Sequence, residues 1–549
     1  MRVSVVTNHA VVDRTQTQHW LDPRHDLVIE QPPTLDGTSH RFELADGPFS
    51  HWQRVVRVEP SSNSVDFVDV YEEIRFRLAV PVGRALFLMP LRRELRRPPD
   101  PQRRTPWWAP PDVLSPRAAT VLSLLCVFGL VAGYLGTLIT QTLTYAAEEF
   151  GASTGDQGTL LAGVRVGVLL SMLIVATADR RGRRSVLAVA LLAACAITSL
   201  GAFAPGMIWL GATQTFARAF ATVIGLLVAI IAVEEMPAGA RAFAVSVLTM
   251  TAGLGAGLCV INLVYVDLAV WAWRIAYLVP LLFMIPSWRL LRQLPETFRF
   301  TKRLEADRAA ELAARESERT SQSRPGTTEP DQRLNRHIDR HIDRRRFALL
   351  AASGFLWALF LAPAAQFLNE FLRTERGFSG IGIAVFVLAT NTPGVIGIVL
   401  GGRLADRRGR RLVGAIGIAG GVTFTVVSYL SWGWPLWAAS VVASVIGAIA
   451  IPALAVYGPE LFPTNQRARA NGRLQVVGVA GSSIGLLSAG WLADRLGGLG
   501  PAIAALAIGP AILIVIVLTL YPETANRHLE ELNPADVNVT DPSGFSGPQ

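Results

Sequence analysis

Long apolar stretches separated by short polar connections make up most of the chain after about residue 119. Residues 121–134 and 441–454, for example, contain no charged side chain. Each belongs to a longer run that approaches the roughly 20 residues a helix needs to cross a bilayer. Twelve such runs predict twelve membrane-spanning helices, at 119–145, 158–178, 185–203, 207–233, 243–265, 275–293, 347–371, 380–403, 412–431, 434–457, 473–493 and 500–521.

Residues 1–117 follow a different pattern. Apolar and polar residues alternate in HWQRVVRVEP and in VDFVDVYEEIRFRL, which predicts two β-strands, and a basic amphipathic helix is expected at 83–97. The Arg-rich stretch at 92–104 could rest on anionic lipid headgroups. We expect an α+β soluble segment at 1–117, six-helix bundles at 118–297 and 347–522, a charged linker at 298–346 and a tail at 523–549. The predicted fold class is an all-α membrane protein of twelve transmembrane helices, with this small N-terminal segment added.

Composition agrees with lipid as the main solvent, since 51% of the residues are apolar and 17% are charged. A net charge of +9 could suggest nucleic-acid binding, but the arginines occur in short runs at alternate ends of the apolar spans. One set of connections carries Arg180, Arg181, Arg183, Arg184, Arg241, Arg407, Arg408, Arg410, Arg411, Arg467, Arg469 and Arg473. The positive-inside rule therefore predicts a multi-pass protein of the plasma membrane with both termini in the cytoplasm and no nucleic-acid partner.

Three short motifs recur at a nearly constant offset, which indicates an internal repeat. ADRRGRR at 178–184 returns at 405–411, and PET at 295–297 returns at 522–524, both shifted by 227 residues. The third motif has the glutamate, proline and arginine Glu234, Pro237 and Arg241, which return as Glu460, Pro463 and Arg467. Three matches in the same order predict two copies of one six-helix unit, and an even number of helices gives both copies the same orientation.

These loops carry a family resemblance. The segment from Gly402 to Arg411 resembles the signature loop of the major facilitator superfamily of secondary carriers, although Val175 stands where the first copy should have its leading glycine. YGPELFPTNQRARANG at 457–472 and YPETANRHLEEL at 521–532 are similar to the branch of sugar porters and metabolite:proton symporters. GPFSHW at 47–52 weakly resembles part of a START or Bet v1-like domain. The resemblance implies two parallel halves that rock about a cavity near the membrane midplane.

The resemblance also implies a cytoplasmic gate. Its candidate residues are Asp179, Gly182, Arg183, Glu234 and Arg241 in the first half and Asp406, Gly409, Arg410, Glu460 and Arg467 in the second. They would hold the cytoplasmic faces together when the carrier faces outward, because ion pairs strengthen where they are partly desolvated. The alternative is that these charges only anchor helix ends and enforce topology.

Two arginines lie inside apolar spans, where an arginine costs roughly 2.5–3.5 kcal/mol on insertion scales. They are Arg165 on the second span and Arg218 on the fourth. Arg218 resembles the fourth-helix arginine that the family associates with proton coupling. The equivalent positions in the second half are Thr392 and Ser444, and this asymmetry favours a role in ligand chemistry over a structural role.

Other polar residues within spans are candidates for contact with substrate or protons. They are Tyr134 and Gln141 on the first span, Gln366, Asn369 and Glu370 on the seventh, and Asn391 beside Pro393 on the eighth. The TNTP run at 390–393 predicts a helix break. His337 and His341 are spaced one helical turn apart, but two ligands without a third do not make a metal site, so no metal is expected.

We therefore predict a secondary transporter, not an enzyme, that moves a small polar or anionic metabolite across the membrane and is driven by protons. Its partners are the lipid bilayer, the substrate and protons, with no obligate protein partner and no cofactor. The chain has no G-x-x-x-x-G-K-[ST] loop, which argues against an ATP-driven pump. Two alternatives stay open: an efflux carrier for amphiphilic drugs, and a membrane sensor that keeps the carrier fold without turnover.

Overall fold

The computed structural model describes residues 3–61, 66–98, 106, 108–297, 344–455, 457, 461–462 and 464–523, without the side chains of 179, 180, 238, 242, 399, 402, 403, 406, 407, 455 and 464–469. Within this part of the chain, 12 candidate spans are long and apolar enough to cross a membrane. The predicted twelve-helix fold class is therefore confirmed. His337, His341 and most of the predicted linker lie outside the described residues.

The first half contains helices Pro116–Phe150, Thr154–Arg181, Arg183–Leu200, Met207–Glu235, Arg241–Ile261 and Trp273–Leu291. The second half begins with Arg344–Gln366, which continues through the short turns Leu368–Glu370 and Phe371–Glu375. Its remaining helices are Gly380–Asn391 with Gly394–Arg408, then Arg410–Leu430, Gly433–Ala455, Thr464–Leu496, and Leu499–Leu506 with Ile508–Leu520. We number the spans one to twelve in this order. Span eight consists of the two helices Gly380–Asn391 and Gly394–Arg408, and span twelve consists of Leu499–Leu506 and Ile508–Leu520.

Local chemistry explains where several helices begin and end. Ser115 caps the first span by accepting a hydrogen bond from the backbone N–H of Ala118, and Gly151 ends that span in the left-handed region. Ser153 and Asp156 form a reciprocal capping box at the start of the second. The predicted break in the eighth span is confirmed, because its first helix ends at Asn391 and its second begins at Gly394.

The repeated sequence motifs make repeated contacts. The carboxylate of Glu296 accepts hydrogen bonds from the backbone N–H groups of Arg183 and Arg184, at 2.9 and 3.2 Å. Glu523 does the same for Arg410 and Arg411, at 2.9 and 3.3 Å. The glutamate of each PET motif thus caps the third helix of its own half. The sequence showed that these motifs repeat, and the structure shows their role.

Both signature loops turn at a glycine with a positive φ angle. Gly182 has φ +89° and Gly409 has φ +93°. This conformation is costly for any residue with a Cβ atom, which explains why each loop has glycine at its turn.

The N-terminal segment forms a six-stranded antiparallel sheet in the order β1-β6-β5-β4-β2, with β3 paired to β4. The strands are β1 Ser4–Asp13, β2 Ile29–Glu30, β3 Thr34–Asp36, β4 Ser39–Asp46, β5 Phe49–Pro60 and β6 Phe67–Leu78; the helices are α1 Gln18–Leu21 and α2 Arg84–Leu95. The two predicted strands and the basic helix are confirmed as β5, β6 and α2. Four further strands were not predicted. The resemblance to START domains stays a prediction.

Alternating side chains of β6 are buried on one face of this sheet, as its sequence pattern predicts. Charge is also buried there. Arg54, fully buried, donates to both carboxylate oxygens of Glu30 and lies 3.4 Å from Glu72. A paired and hydrogen-bonded cluster of this kind avoids the cost of isolated buried charges.

Candidate functional site

Arg165 and Arg218 lie at the same depth of the first half. The second and fourth spans start at the same end of the bundle, and each arginine is 11 residues beyond the first residue of its helix. At 1.5 Å per residue this is about 16 Å, close to half the thickness of the hydrocarbon core. The two predicted arginines therefore lie at the same level, near the centre of the membrane, on two helices that pack against each other.

The two guanidinium groups have few partners. Nη1 of Arg218 donates a hydrogen bond of 2.5 Å to the carbonyl of Gly136 on the first span. The Nε atoms of both arginines are buried and lack a hydrogen-bond partner. Among the described residues neither arginine forms an ion pair, and the charge that acts on Arg218 is that of Arg165. Two positive groups with unused donors form an environment suited to an anion.

Close helix packing holds this pair in position. A Cβ atom added to Gly167 on the second span would lie 2.1 Å from the carbonyl oxygen of Thr215 and 3.2 Å from Cβ of Arg218. Only a residue without a side chain allows the second and fourth spans to approach this closely. Gly136 on the first span also lies against this site, but a Cβ atom there would meet Nη1 of Arg218 at 3.4 Å, an ordinary contact.

The two halves are closed against each other at the end opposite the signature loops. The second and eleventh spans meet there, since a Cβ atom on Gly158 would lie 2.7 Å from the carbonyl oxygen of Leu486. The short 3-10 helix Asn262–Leu268, which follows the fifth span, meets the start of the eighth span, where the backbone N–H of Gly380 donates to Asp267 at 2.5 Å. We call this region the closed end; besides these contacts it contains Gln141, Asn369, Glu370 and Arg373.

Three of the predicted polar candidates lie at the closed end. Nδ2 of Asn369 donates to both the backbone carbonyl and the Oε1 atom of Gln141, at 3.0 and 2.9 Å. Glu370, only 7% exposed, faces Gln157 and Thr144 of the first half, and its Oε2 atom has no hydrogen-bond partner. Gln141, Asn369 and Glu370 therefore join the first and seventh spans across the halves.

Arg373 forms a charged contact at the closed end that the sequence analysis missed. Its Nη1 lies 2.7 Å from Asp267 and its Nη2 lies 3.5 Å from Glu148, both in the first half. The sequence signal was present, because Arg373 is one of the few arginines near an outer helix end. Its partners could not be identified, since Asp267 is 106 residues away along the chain.

The remaining cavity candidates are placed elsewhere. Tyr134 is fully buried within the first half, where its hydroxyl donates to the carbonyl of Ala276 and accepts from Asn262. Gln366 is buried on the seventh span. Asn391 is exposed at the break in the eighth span, and its carbonyl accepts a bond of 3.4 Å from Ser444.

At the signature-loop end, the described gate candidates make contacts within their own halves. Arg183 forms an ion pair with Glu234. Nε of Arg241 donates to the carbonyl of Met236, at the end of the fourth span. Glu460 and the side chains of Asp179, Asp406 and Arg467 lie outside the described residues. The gate across the halves stays a prediction.

Known proteins resemble this chain in sequence or in structure. The niacin transporter NiaP of Acinetobacter baylyi is 27% identical over 377 residues, covering 64% of this chain and 80% of the relative. The inward-open structure of the xylose transporter XylE from E. coli superposes with a TM-score of 0.59 at 16% identity, covering 76% of this chain and 99% of that one. A mutant of the nucleoside transporter NupG gives a TM-score of 0.57 at 12% identity, covering 73% and 100%.

The sequence also matches a family model over most of its membrane part. The model is described as the Major Facilitator Superfamily, and the matched residues are 121–427 and 346–539. This match agrees with the twelve spans and with the capping contacts that are repeated in the two halves. The chain belongs to the Major Facilitator Superfamily.

Proposed function

We propose that this protein is a secondary active transporter that moves a small anionic metabolite across the cytoplasmic membrane by alternating access, coupled to protons. The observation that carries the choice of an anion is the pair Arg165 and Arg218. Both lie near mid-membrane with a buried Nε atom that has no hydrogen-bond partner, and no described carboxylate neutralises them.

The charge of the two arginines favours an anionic substrate. Each intramembrane arginine costs roughly 2.5–3.5 kcal/mol, and two of them in proximity also repel. A carboxylate bound between them would offset this cost by accepting charge-assisted hydrogen bonds from both guanidinium groups. The relative named for niacin, a pyridine carboxylic acid, supports a substrate with a single carboxylate.

The arrangement of the halves supports alternating access. The closed end separates the arginine pair from one side of the membrane, and the positive-inside rule assigns that side to the exterior. Opening of this end must break the contacts of Asn369, Glu370 and Arg373 with the first half. Glu370 is our candidate for the residue that carries the coupled proton, because it is a carboxylate buried between the moving halves.

Uptake into proteoliposomes tests the proposal. The liposome lumen is set at neutral pH and the exterior is made acidic, and the accumulation of labelled niacin, nicotinamide, xylose and a cationic amphiphilic dye is compared. Nicotinamide is the neutral amide of niacin and so isolates the contribution of the carboxylate. We expect niacin or a related carboxylate to accumulate in a gradient-dependent manner and nicotinamide to remain outside.

Variants of the arginines complete the experiment. Arg218→Gln and Arg165→Gln should each lower uptake at least about tenfold, since a hydrogen bond to a charged group contributes about 1.5–3 kcal/mol. Arg292→Gln, which changes an exposed arginine at the end of the sixth span, is the matched control. Transport of the dye alone would overturn the anion proposal in favour of amphiphile efflux. Binding of carboxylates without uptake would identify a sensor.

A further inference from the structure

Helix α2 of the N-terminal segment presents large apolar side chains to solvent. Leu86 is 78% exposed, Phe87 42% and Met89 83%. The helix buries only Leu91 and Leu95 against the sheet. Three exposed apolar residues clustered within one turn of a sheet-associated helix indicate an interaction surface.

The position of α2 relative to the membrane follows from the contacts of the strand that precedes it. The Oγ1 atom of Thr120, just inside the first span, donates a bond of 2.6 Å to the carbonyl of Ala79, directly after β6. The carboxylate of Asp112 also accepts a 2.7 Å bond from the backbone N–H of Gly239, between the fourth and fifth spans. The end of the sheet at Leu78 therefore lies at the membrane surface, and α2 begins six residues beyond it at Arg84.

The direction of α2 is also fixed. Near its far end, the carbonyl of Leu95 accepts a bond of 3.0 Å from Asn8, which pairs with Glu72 in the sheet. Glu72 is six residues from Leu78 along β6, a distance of about 20 Å. Helix α2 therefore runs away from the membrane, and its first turns, with the exposed apolar residues, are nearest to the bilayer.

Basic residues lie beyond the apolar residues along α2, further from the bilayer. A lipid surface has the same order, because its charged headgroups lie outside its acyl chains. Arg92, Arg93 and Arg96 are exposed, and Arg93 is about 9 Å further along the helix than Phe87. Arg97 is held 3.0 Å from Glu94. An open cavity of about 740 Å³ lies between α2 and Trp108 and is bordered by Met89, Arg93 and Arg97.

We propose that α2 is a membrane-surface anchor that binds anionic phospholipid. Leu86, Phe87 and Met89 insert into the interface of the bilayer that holds the twelve spans, and Arg92, Arg93 and Arg96 contact phosphate groups of the headgroup layer. Apolar insertion combined with a basic cluster is the arrangement that binds helices to anionic membranes. The anchor holds the sheet against the cytoplasmic leaflet, and this proposal does not depend on the identity of the transported substrate.

The test measures the depth of α2 in a bilayer. The full-length protein, with Cys126, Cys195 and Cys259 replaced by serine, receives one new cysteine by Leu86→Cys and is labelled with a bimane fluorophore. Leu35→Cys is the matched control, because Leu35 is 74% exposed and lies about 20 Å from the membrane-facing end of the sheet. Both variants are placed in nanodiscs that contain lipid with a nitroxide on its acyl chain.

We expect at least twofold quenching at residue 86 in discs that contain phosphatidylglycerol, little quenching at residue 35, and loss of the difference after Arg92→Glu with Arg93→Glu. Equal signals at the two positions would overturn the anchor. If quenching at residue 86 stays as strong in phosphatidylcholine discs and in the charge-reversed variant as it is in phosphatidylglycerol discs, the recognition of anionic headgroups would be overturned. Crosslinking through residue 86 to a second copy of the chain, without quenching, would show that α2 binds protein and would also overturn the proposal.

Discussion

Replacing Arg373 by alanine should shift the conformational equilibrium of the protein. The side chain spans the two halves at the closed end, with Asp267 at 2.7 Å and Glu148 at 3.5 Å. Because Arg373 is 26% exposed and Asp267 31% exposed, solvent screens the pair, and we discount its contribution to about 1 kcal/mol. With RT near 0.59 kcal/mol, the loss corresponds to about a fivefold increase in the population open at this end.

Pulsed electron–electron distance measurements can detect this change. Spin labels at Ile208→Cys and Trp434→Cys report on the separation of the halves, because these exposed residues begin the fourth and tenth spans at equivalent positions. Arg373→Ala should raise the fraction of molecules with a long distance between the two spin labels about fivefold. Arg376→Ala is the matched control, since Arg376 donates to carbonyls of Ser431 and Tyr429 in its own half.

Asp267→Asn provides a second arm of the measurement. The amide oxygen of asparagine can still accept the hydrogen bond from Gly380, but the charge that faces Arg373 is lost. If the ion pair is the cause, the effects of Arg373→Ala and Asp267→Asn should be less than additive in the double variant. An unchanged distance distribution in Arg373→Ala, with the protein still folded, would refute the reasoning.

Two further predictions concern stability and are tested by thermal unfolding in detergent. Glu296→Gln and Glu523→Gln should each cost about 1 kcal/mol, because each removes the charge that caps a third helix, and the two effects should be equal within error if the halves are equivalent. Gly255→Ala should cost about 3 kcal/mol or more, because its Cβ atom would lie 1.9 Å from the carbonyl oxygen of Leu130. Gly253→Ala on the same helix meets no atom within 4 Å and should not lower the unfolding temperature. Equal effects of the two glycine substitutions would contradict the packing.

The membrane fold was predictable from sequence because its main constraint is local. In lipid the backbone must satisfy its hydrogen bonds mainly within its own helix, so each span is a long and predominantly apolar run. The repeat was visible for a similar reason, since Gly182 and Gly409 occupy a backbone conformation that requires glycine in both copies. Two strands, β5 and β6, were also predicted because one buried face gives clear alternation.

Three of the four strands that were not predicted from the sequence carry weaker local patterns. β1 is partly exposed along most of its length, and β2 and β3 contain two and three residues. Their strand conformation depends on partners that are distant in the chain, as in the pairing of Ser4 with Phe76. Alternation alone could not reveal them.

Sequence by itself determined which polar residues lie inside the membrane, but only the tertiary structure decided what each one contacts. Tyr134 and Arg218 are both polar residues in apolar spans, yet Tyr134 is satisfied by Ala276 and Asn262 within its own half, while Arg218 has a buried Nε atom without a partner. Gly253 and Gly255 differ in the same way, since only Gly255 faces a neighbouring backbone. Hydropathy fixes the depth of a residue, whereas its partner depends on helix rotation and packing, which are set by contacts far apart in the chain.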